Sequence, residues 1–175
     1  MGLTLHRIII GITGASGAVL GVRTLDAFTA AGVETHLVVS RWGQQTLEHE
    51  TGLRLEDLRS RSSMLYSSSN MAAAISSGSF RTMGMVIVPC SMRSLAAISL
   101  GMGENLIHRA ADVVIKERLP LVLVPRETPL NDIHLENMLK LARSCKYCRR
   151  DLDNIARMRA KKREKEKERK NAFTS

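Results

Sequence analysis

Residues 8–17 read Ile-Ile-Ile-Gly-Ile-Thr-Gly-Ala-Ser-Gly, an apolar run that passes with no polar transition into a turn of glycines and small hydroxyls. β-Branched residues in succession, bounded by glycine, describe a buried strand that stops abruptly. The segment Ala18–Ala31 that follows has helical character, so the junction is a strand-to-helix turn. Such a turn aims backbone N–H groups beyond the strand's carboxyl end, with the positive end of the helix dipole behind them, and so forms an anion site. The glycines stand at 11, 14 and 17, a G-x-x-G-x-x-G spacing. This is neither the G-x-G-x-x-G fingerprint of dinucleotide sites nor a Walker A loop, since no Lys-Ser/Thr pair follows. A β–α turn that holds no ligand is the alternative on this stretch alone.

Outward from the turn, strand-like and helix-like pieces alternate, the pattern of a parallel sheet covered by helices on both faces. Strands are expected at Ile8–Ile12, Glu34–Val39, Met85–Pro89 and Leu121–Val124. Helices are expected at Ala18–Ala31, Trp42–Thr51, Ser94–Leu100, Asn105–Arg118 and Ile133–Ala142. Within Asn105–Arg118 the residues Leu106, Ala110, Val113 and Val114 recur at helical spacing and mark the apolar face. Arg59–Asn70, rich in Ser and Arg and without periodicity, reads as a surface excursion. Ala72–Ile75 reads as a short piece leading into the Ser76-Ser77-Gly78-Ser79 turn. The fold class is α/β, a Rossmann-like or flavodoxin-like three-layer sandwich about a parallel sheet. Ligands of open α/β sheets bind outside the carboxyl ends of the strands. Gly14–Ser16, Ser40, Cys90–Ser94 and Arg126–Glu127 are therefore expected to meet in one crevice.

At 175 residues the chain is most simply one domain, large enough to bury its own core. No apolar run approaches the roughly 20 residues that span a bilayer, and no secretory leader pattern opens the chain, so a soluble cytoplasmic protein is expected. Cys90, Cys145 and Cys148 make no disulfide framework and suit a reducing compartment. The net charge of +9 is unevenly spread: residues 143–175 hold 13 Lys/Arg against 5 Asp/Glu, which leaves 13 against 12 for residues 1–142. A nearly neutral body offers no electrostatic footprint for a duplex, so a nucleic-acid partner is not expected. The basic segment reads as a solvated extension, with contact to RNA or an acidic protein as the alternative. The chain thus divides into a body at 1–142 and a basic tail at 143–175.

The residues nominated by the strand ends are mostly hydroxyls and backbone donors, with Arg126 and Lys116 as cations and Glu127 as the single carboxylate, a set that suits a phosphorylated ligand. Arg126 presents a planar fork, and Glu127 is placed to move a proton at a leaving group. The alternative is that the two form a plain surface pair. Cys90 ends an apolar strand with no His nearby in sequence to activate it, so it reads as core. His6, His36, His49, His108 and His134 are scattered without ligand spacing, and no metal site is expected from them. Cys145-Lys146-Tyr147-Cys148 has the spacing of half a zinc knuckle but no second pair within reach.

With these residues assembled, the chain resembles the UbiX family of flavin prenyltransferases, which accompany UbiD-type decarboxylases of aromatic and phenolic acids. The resemblance lies in GITGASGAVLGVR from Gly11, ETHLVVS to Ser40, ISSGSF from Ile75, VIVPCSMRSL from Val86, RAADVVIKERLPLVLVPRETPL from Arg109 and IHLENMLKL from Ile133. These six blocks stand in the family's order and span roughly residues 7–141. The resemblance implies FMN at Gly14, Ala15, Ser16, Ser40, Ser91, Met92, Arg93, Ser94 and Arg126. It implies transfer of a dimethylallyl group from dimethylallyl phosphate to reduced FMN, at N5 and then C6, giving prenylated FMN without a metal. Glu127, Ser16 and Lys116 take the catalytic positions, with Glu127 as proton carrier. It further implies a homo-oligomer, typically a dodecamer, with Lys116 and Arg126 partly at subunit junctions. From Ser144 the chain leaves the family pattern, and no residue there matches the tyrosine and basic residue that bind the donor phosphate in the family. An FMN-binding accessory subunit without turnover is therefore the alternative reading. A flavin-dependent cysteine decarboxylase shares the fold, but the PRETPL and RAADV blocks favour the prenyltransferase.

Overall fold

The computed structural model describes residues 6–144. The elements run β1 (Arg7–Ile12), α1 (Ala18–Ala30), β2 (Glu34–Val39), α2 (Arg41–Thr51), α3 (Leu55–Arg59) and β3 (Met64–Ser67). A 3-10 turn at Ala74–Ser76 follows, then β4 (Met85–Cys90), α4 (Met92–Ser99), α5 (Leu106–Lys116), β5 (Leu121–Pro125) and α6 (Asp132–Ser144).

The strands form one five-stranded sheet in the order β3-β2-β1-β4-β5, with every pairing parallel. Because side chains alternate along a strand, β1 divides its isoleucines between two cores. Ile8, Ile10 and Ile12 join Leu37 and Val39 of β2 under Ala18, Val22 and Leu25 of α1, with Leu47 of α2 and Leu58 of α3. Ile9 joins Val38, Met85 and Ile87 on the other face, under Leu95 of α4, Leu106, Ala110 and Val114 of α5 and Leu141 of α6. Each fully buried aliphatic side chain of this kind contributes about 1.5–3 kcal/mol relative to exposure. Burial on both faces explains why β1 and β4 read as near-continuous apolar runs. The flavodoxin-like three-layer α/β sandwich expected from the sequence is the fold observed.

The chain builds outward from β1 to β3 and then returns to place β4 on the other side of β1. The reversal puts the topological switch point between β1 and β4, where open sheets of this kind leave a crevice at the carboxyl ends. Thr13, just past β1, pins the two strand ends together. Its N–H and hydroxyl both donate to the Pro89 carbonyl, at 3.2 and 2.8 Å, and its Oγ1 accepts the Ser91 N–H at 2.8 Å.

Three elements depart from the sequence reading. The presumed surface excursion at Arg59–Asn70 contains a fifth strand, β3, and helix α3 precedes it. β3 lies at the sheet edge and is held by hydroxyls: Thr35 and Ser63 exchange side-chain-to-backbone bonds at 3.0 Å, and Tyr66 meets the His36 ring at 3.0 Å. Helix α4 also starts earlier than expected, at Met92, because Ser91 caps it. Cys145, Tyr147, Cys148 and the rest of the basic tail lie outside the described residues. Among the described residues, no helix is long and apolar enough to cross a membrane.

Candidate functional site

Four helix starts at the carboxyl edge of the sheet surround the β1–β4 switch point, those of α1, α2, α4 and α5, and the last three are capped by side chains. Ser40 Oγ accepts from the Gly43 N–H of α2 at 3.0 Å, Ser91 Oγ from the Ser94 N–H of α4 at 3.2 Å, and Asn105 Oδ1 from the His108 N–H of α5 at 3.1 Å. The three caps border one cavity of about 460 Å³ together with Gly14, Trp42 and Arg93. Three positive helix ends facing a pocket of this size suit an anionic ligand with a polar body. Gly14 closes the cavity against α2, since a Cβ there would run into the Trp42 β-carbon and come within 3.0 Å of its carbonyl carbon. Trp42 itself is 61% exposed and forms an apolar rim.

The fourth helix start, at α1, is occupied from within the chain. Gly17 takes a φ of 98°, a left-handed conformation that suits glycine, and turns the chain into the helix. Both Glu50 carboxylate oxygens accept from its N–H at 3.0 Å, and Oε2 also accepts from the Ala18 N–H at 2.7 Å. Arg126 comes to the same place from β5. Its N–H donates to the Cys90 carbonyl at 3.3 Å, and its Nε would lie 3.4 Å from a Cβ built on Gly17. The turn at residues 14–17 is thus an anion-binding helix start, with a carboxylate and a guanidinium of this chain gathered around it.

Three of the four nominated strand ends meet at this cavity, and Arg126 and Glu127, at the end of β5, do not line it. Gly14, Ser40, Ser91, Arg93 and Ser94 line the cavity, while Ala15, Ser16 and Met92 belong to the same turns without lining it. Glu127 is exposed beyond β5, with Oε1 accepting from the Thr128 N–H at 3.1 Å. Lys116 is elsewhere. It ends α5, which starts beside Ser68 at the carboxyl edge and returns to the amino edge, about 16 Å away at 1.5 Å per residue. There it pairs with Glu117 at 3.1 Å. Cys90 is buried, and burial pushes its thiol up to about 12, so it is a neutral core group. Glu50, Thr13, Trp42 and His108 went unnoticed in the sequence as site residues. Each acts through a contact between distant positions that no local pattern announces.

Residues 3–154 match the family model for flavoproteins. Over 137 residues the chain is 58% identical to a probable UbiX-like flavin prenyltransferase of Bacillus subtilis (strain 168), an alignment covering 78% of this chain and 67% of that protein. The chain belongs to the family of UbiX-like flavin prenyltransferases. Two solved structures agree. The UbiX protein AnUbiX (PadA1), in complex with FMN and dimethylallyl pyrophosphate, gives a TM-score of 0.78 at 50% identity, covering 79% of this chain and 74% of that one. A dodecameric FMN-dependent UbiX-like decarboxylase from Escherichia coli O157:H7 gives 0.77 at 52% identity, covering 79% and 76%. For a UbiX-like chain the crevice has the right chemistry for FMN: hydroxyls and helix starts for a phosphate and polyol, a wall where glycine makes room, and an exposed indole at the rim.

Proposed function

We propose that this protein joins a dimethylallyl group from dimethylallyl phosphate to reduced FMN and hands the prenylated flavin to a UbiD-type decarboxylase of aromatic acids. The observation that carries the reading is the crevice at the β1–β4 switch point, walled by Ser40, Ser91, Ser94 and three helix starts, in a chain 50% identical to a solved protein that holds FMN and dimethylallyl pyrophosphate. In this reading residues 1–142 are the flavin-binding body, 143–175 are a basic extension, and the protein works in the cytoplasm.

The reduced flavin supplies a nucleophilic N5, and the allylic C–O bond breaks with its electron pair leaving on phosphate. The chain's own residues bind and orient. Gly14, Ala15, Ser16, Ser40, Ser91, Met92, Arg93 and Ser94 hold the flavin. Arg126, beside the Gly17 turn, meets the phosphate and offsets its charge as it departs. Glu127, at the end of β5, carries the proton that the departing phosphate and the ring closure at C6 exchange. Glu50, already bonded to the α1 start, sets how close a phosphate can come to that turn. Lys116 lies too far from this crevice within one subunit, and an oligomer of the kind formed by the Escherichia coli relative brings it to a neighbour's site.

The test is functional coupling. An apo decarboxylase of the UbiD type should gain activity only when this protein, reduced FMN and dimethylallyl phosphate are all present. Activation without dimethylallyl phosphate contradicts the prenyl-transfer reading, and tight FMN binding without activation favours an accessory flavoprotein.

A further inference from the structure

The inner wall of the crevice holds a chain of hydroxyls whose direction is set by one histidine. His108, in the first turn of α5, is 3% exposed and lines the cavity. Its Nε2 lies 3.3 Å from Ser94 Oγ and 3.5 Å from Asn105 Nδ2. The Asn105 carboxamide is oriented by its cap, because Oδ1 accepts the His108 N–H at 3.1 Å. The atom turned to the ring is therefore the amide nitrogen, which only donates. Nε2 must accept, the ring proton sits on Nδ1, and the Ser94 hydroxyl donates inward to Nε2. Ser94 Oγ in turn accepts the Ser91 hydroxyl at 3.2 Å. Both serine protons are thus spent inside the wall. Nδ1 is buried with no partner among the described residues.

We propose that His108 is a positioning residue of the flavin site: by accepting at Nε2 it fixes both serine hydroxyls so that Ser91 and Ser94 offer lone pairs to the crevice, selecting a hydrogen-bond donor of the flavin at this wall over its phosphate. The inference rests on the flavin reading above and assigns a polarity to one wall of the site. Protonation reverses that polarity. Once Nε2 carries a proton it donates to Ser94 Oγ, and the Ser94 hydroxyl must turn outward. Glu104, in the loop before α5, favours the charged ring, and Arg93 of α4 opposes it. Burial, the largest influence, acts with Arg93 against Glu104 and holds the ring below the usual histidine range, so the lone-pair wall is the state at neutral pH.

The experiment is FMN binding by fluorescence quenching between about pH 8 and pH 5, on the full chain and on His108→Gln and His108→Ala. Glutamine keeps an acceptor oxygen but does not titrate. The wild type should lose about tenfold in affinity relative to His108→Gln as the pH falls, the worth of one hydrogen bond reversed at a buried wall. Titration of the FMN phosphate is common to both proteins and cancels in that ratio. His108→Ala should bind weakly at every pH, with thermal melting of the unliganded proteins reporting any loss of structure. If His108→Ala does not fold, the ratio between wild type and His108→Gln still decides. Lumiflavin, which keeps the ring N–H but lacks ribityl hydroxyls and phosphate, assigns the donor: it shares the pH response if the donor is the ring and lacks it if the donor is a ribityl hydroxyl. A wild-type to His108→Gln ratio that stays flat across the pH at which NMR shows the His108 ring to titrate overturns the positioning role while leaving the flavin reading intact, as does FMN binding by His108→Ala as tight as that of the wild type. Failure of the wild type to bind FMN at any pH overturns both.

Discussion

Gly14 shows how much of the site hangs on a single missing side chain. The turn after β1 packs so closely on the first residues of α2 that a methyl group would meet the Trp42 β-carbon and main chain rather than a yielding side-chain tip. Main chain yields little, so Gly14→Ala should displace the α2 start that carries Ser40, at a cost of about 1–3 kcal/mol typical of overpacking. We expect this substitution to weaken FMN binding by about tenfold or more while the far-ultraviolet circular dichroism of the sheet and helices stays unchanged. Wild-type affinity in Gly14→Ala would mean that the flavin does not depend on this contact. The glycine spacing itself was legible in the sequence as an anion-binding turn. Its partners were not: the Thr13 hydroxyl is joined to Ser91 across 78 positions, and Glu50 reaches Gly17 across 33. No periodicity or motif encodes such pairs, which become visible only when the sheet brings the strand ends together.

At the scale of elements, four strands were readable, edge strand β5 among them, and edge strand β3 was not. β1 and β4 are near-continuous apolar runs because helices cover both sides of the sheet, and β2, reading Glu-Thr-His-Leu-Val-Val, falls at Glu34–Val39 as expected from sequence. β3, reading Met-Leu-Tyr-Ser amid serines, has no such run. Its place is fixed by the pairs Thr35–Ser63 and His36–Tyr66, and by Phe80, which meets the His36 ring edge-on at 4.7 Å. His36 is 4% exposed, and burial holds its ring below the ordinary histidine range, although the Glu34 carboxylate 3.0 Å away and Arg7 beside it pull in opposite directions. A histidine whose folded-state pKa is depressed stabilises the fold fully above its unfolded value near 6.5, and that contribution is lost as the pH falls toward the folded value. Buried His108 adds to the same trend. Urea denaturation midpoints should therefore fall on acidification below about pH 6.5, and the fall should be smaller in His36→Gln. Equal slopes in the two proteins would show that His36 is not the group being titrated.

At the scale of the molecule, the strand order sets where the crevice forms, and in the proposed function a neighbouring subunit completes the site. The sequence nominated one crevice from four strand ends, and the order β3-β2-β1-β4-β5 accounts for it by placing the switch point between Gly14 and Ser91. Lys116 is the member of the nominated set that a single subunit carries to the opposite edge of the sheet. If it acts from a neighbouring subunit, co-expressed Lys116→Ala and Glu127→Gln chains should assemble into oligomers that recover part of the turnover that neither variant shows alone. Such an assembly contains junctions with one intact copy of each residue. Without recovery, Lys116 has no place in a shared site.

The most direct measurement of the central claim is the mass of the flavin itself. Purified protein incubated anaerobically with reduced FMN and dimethylallyl phosphate should yield, after denaturation, a flavin heavier by one five-carbon prenyl unit, with an equal amount of inorganic phosphate released. Recovery of unmodified FMN alone, from protein that demonstrably bound it, would contradict prenyl transfer by this chain.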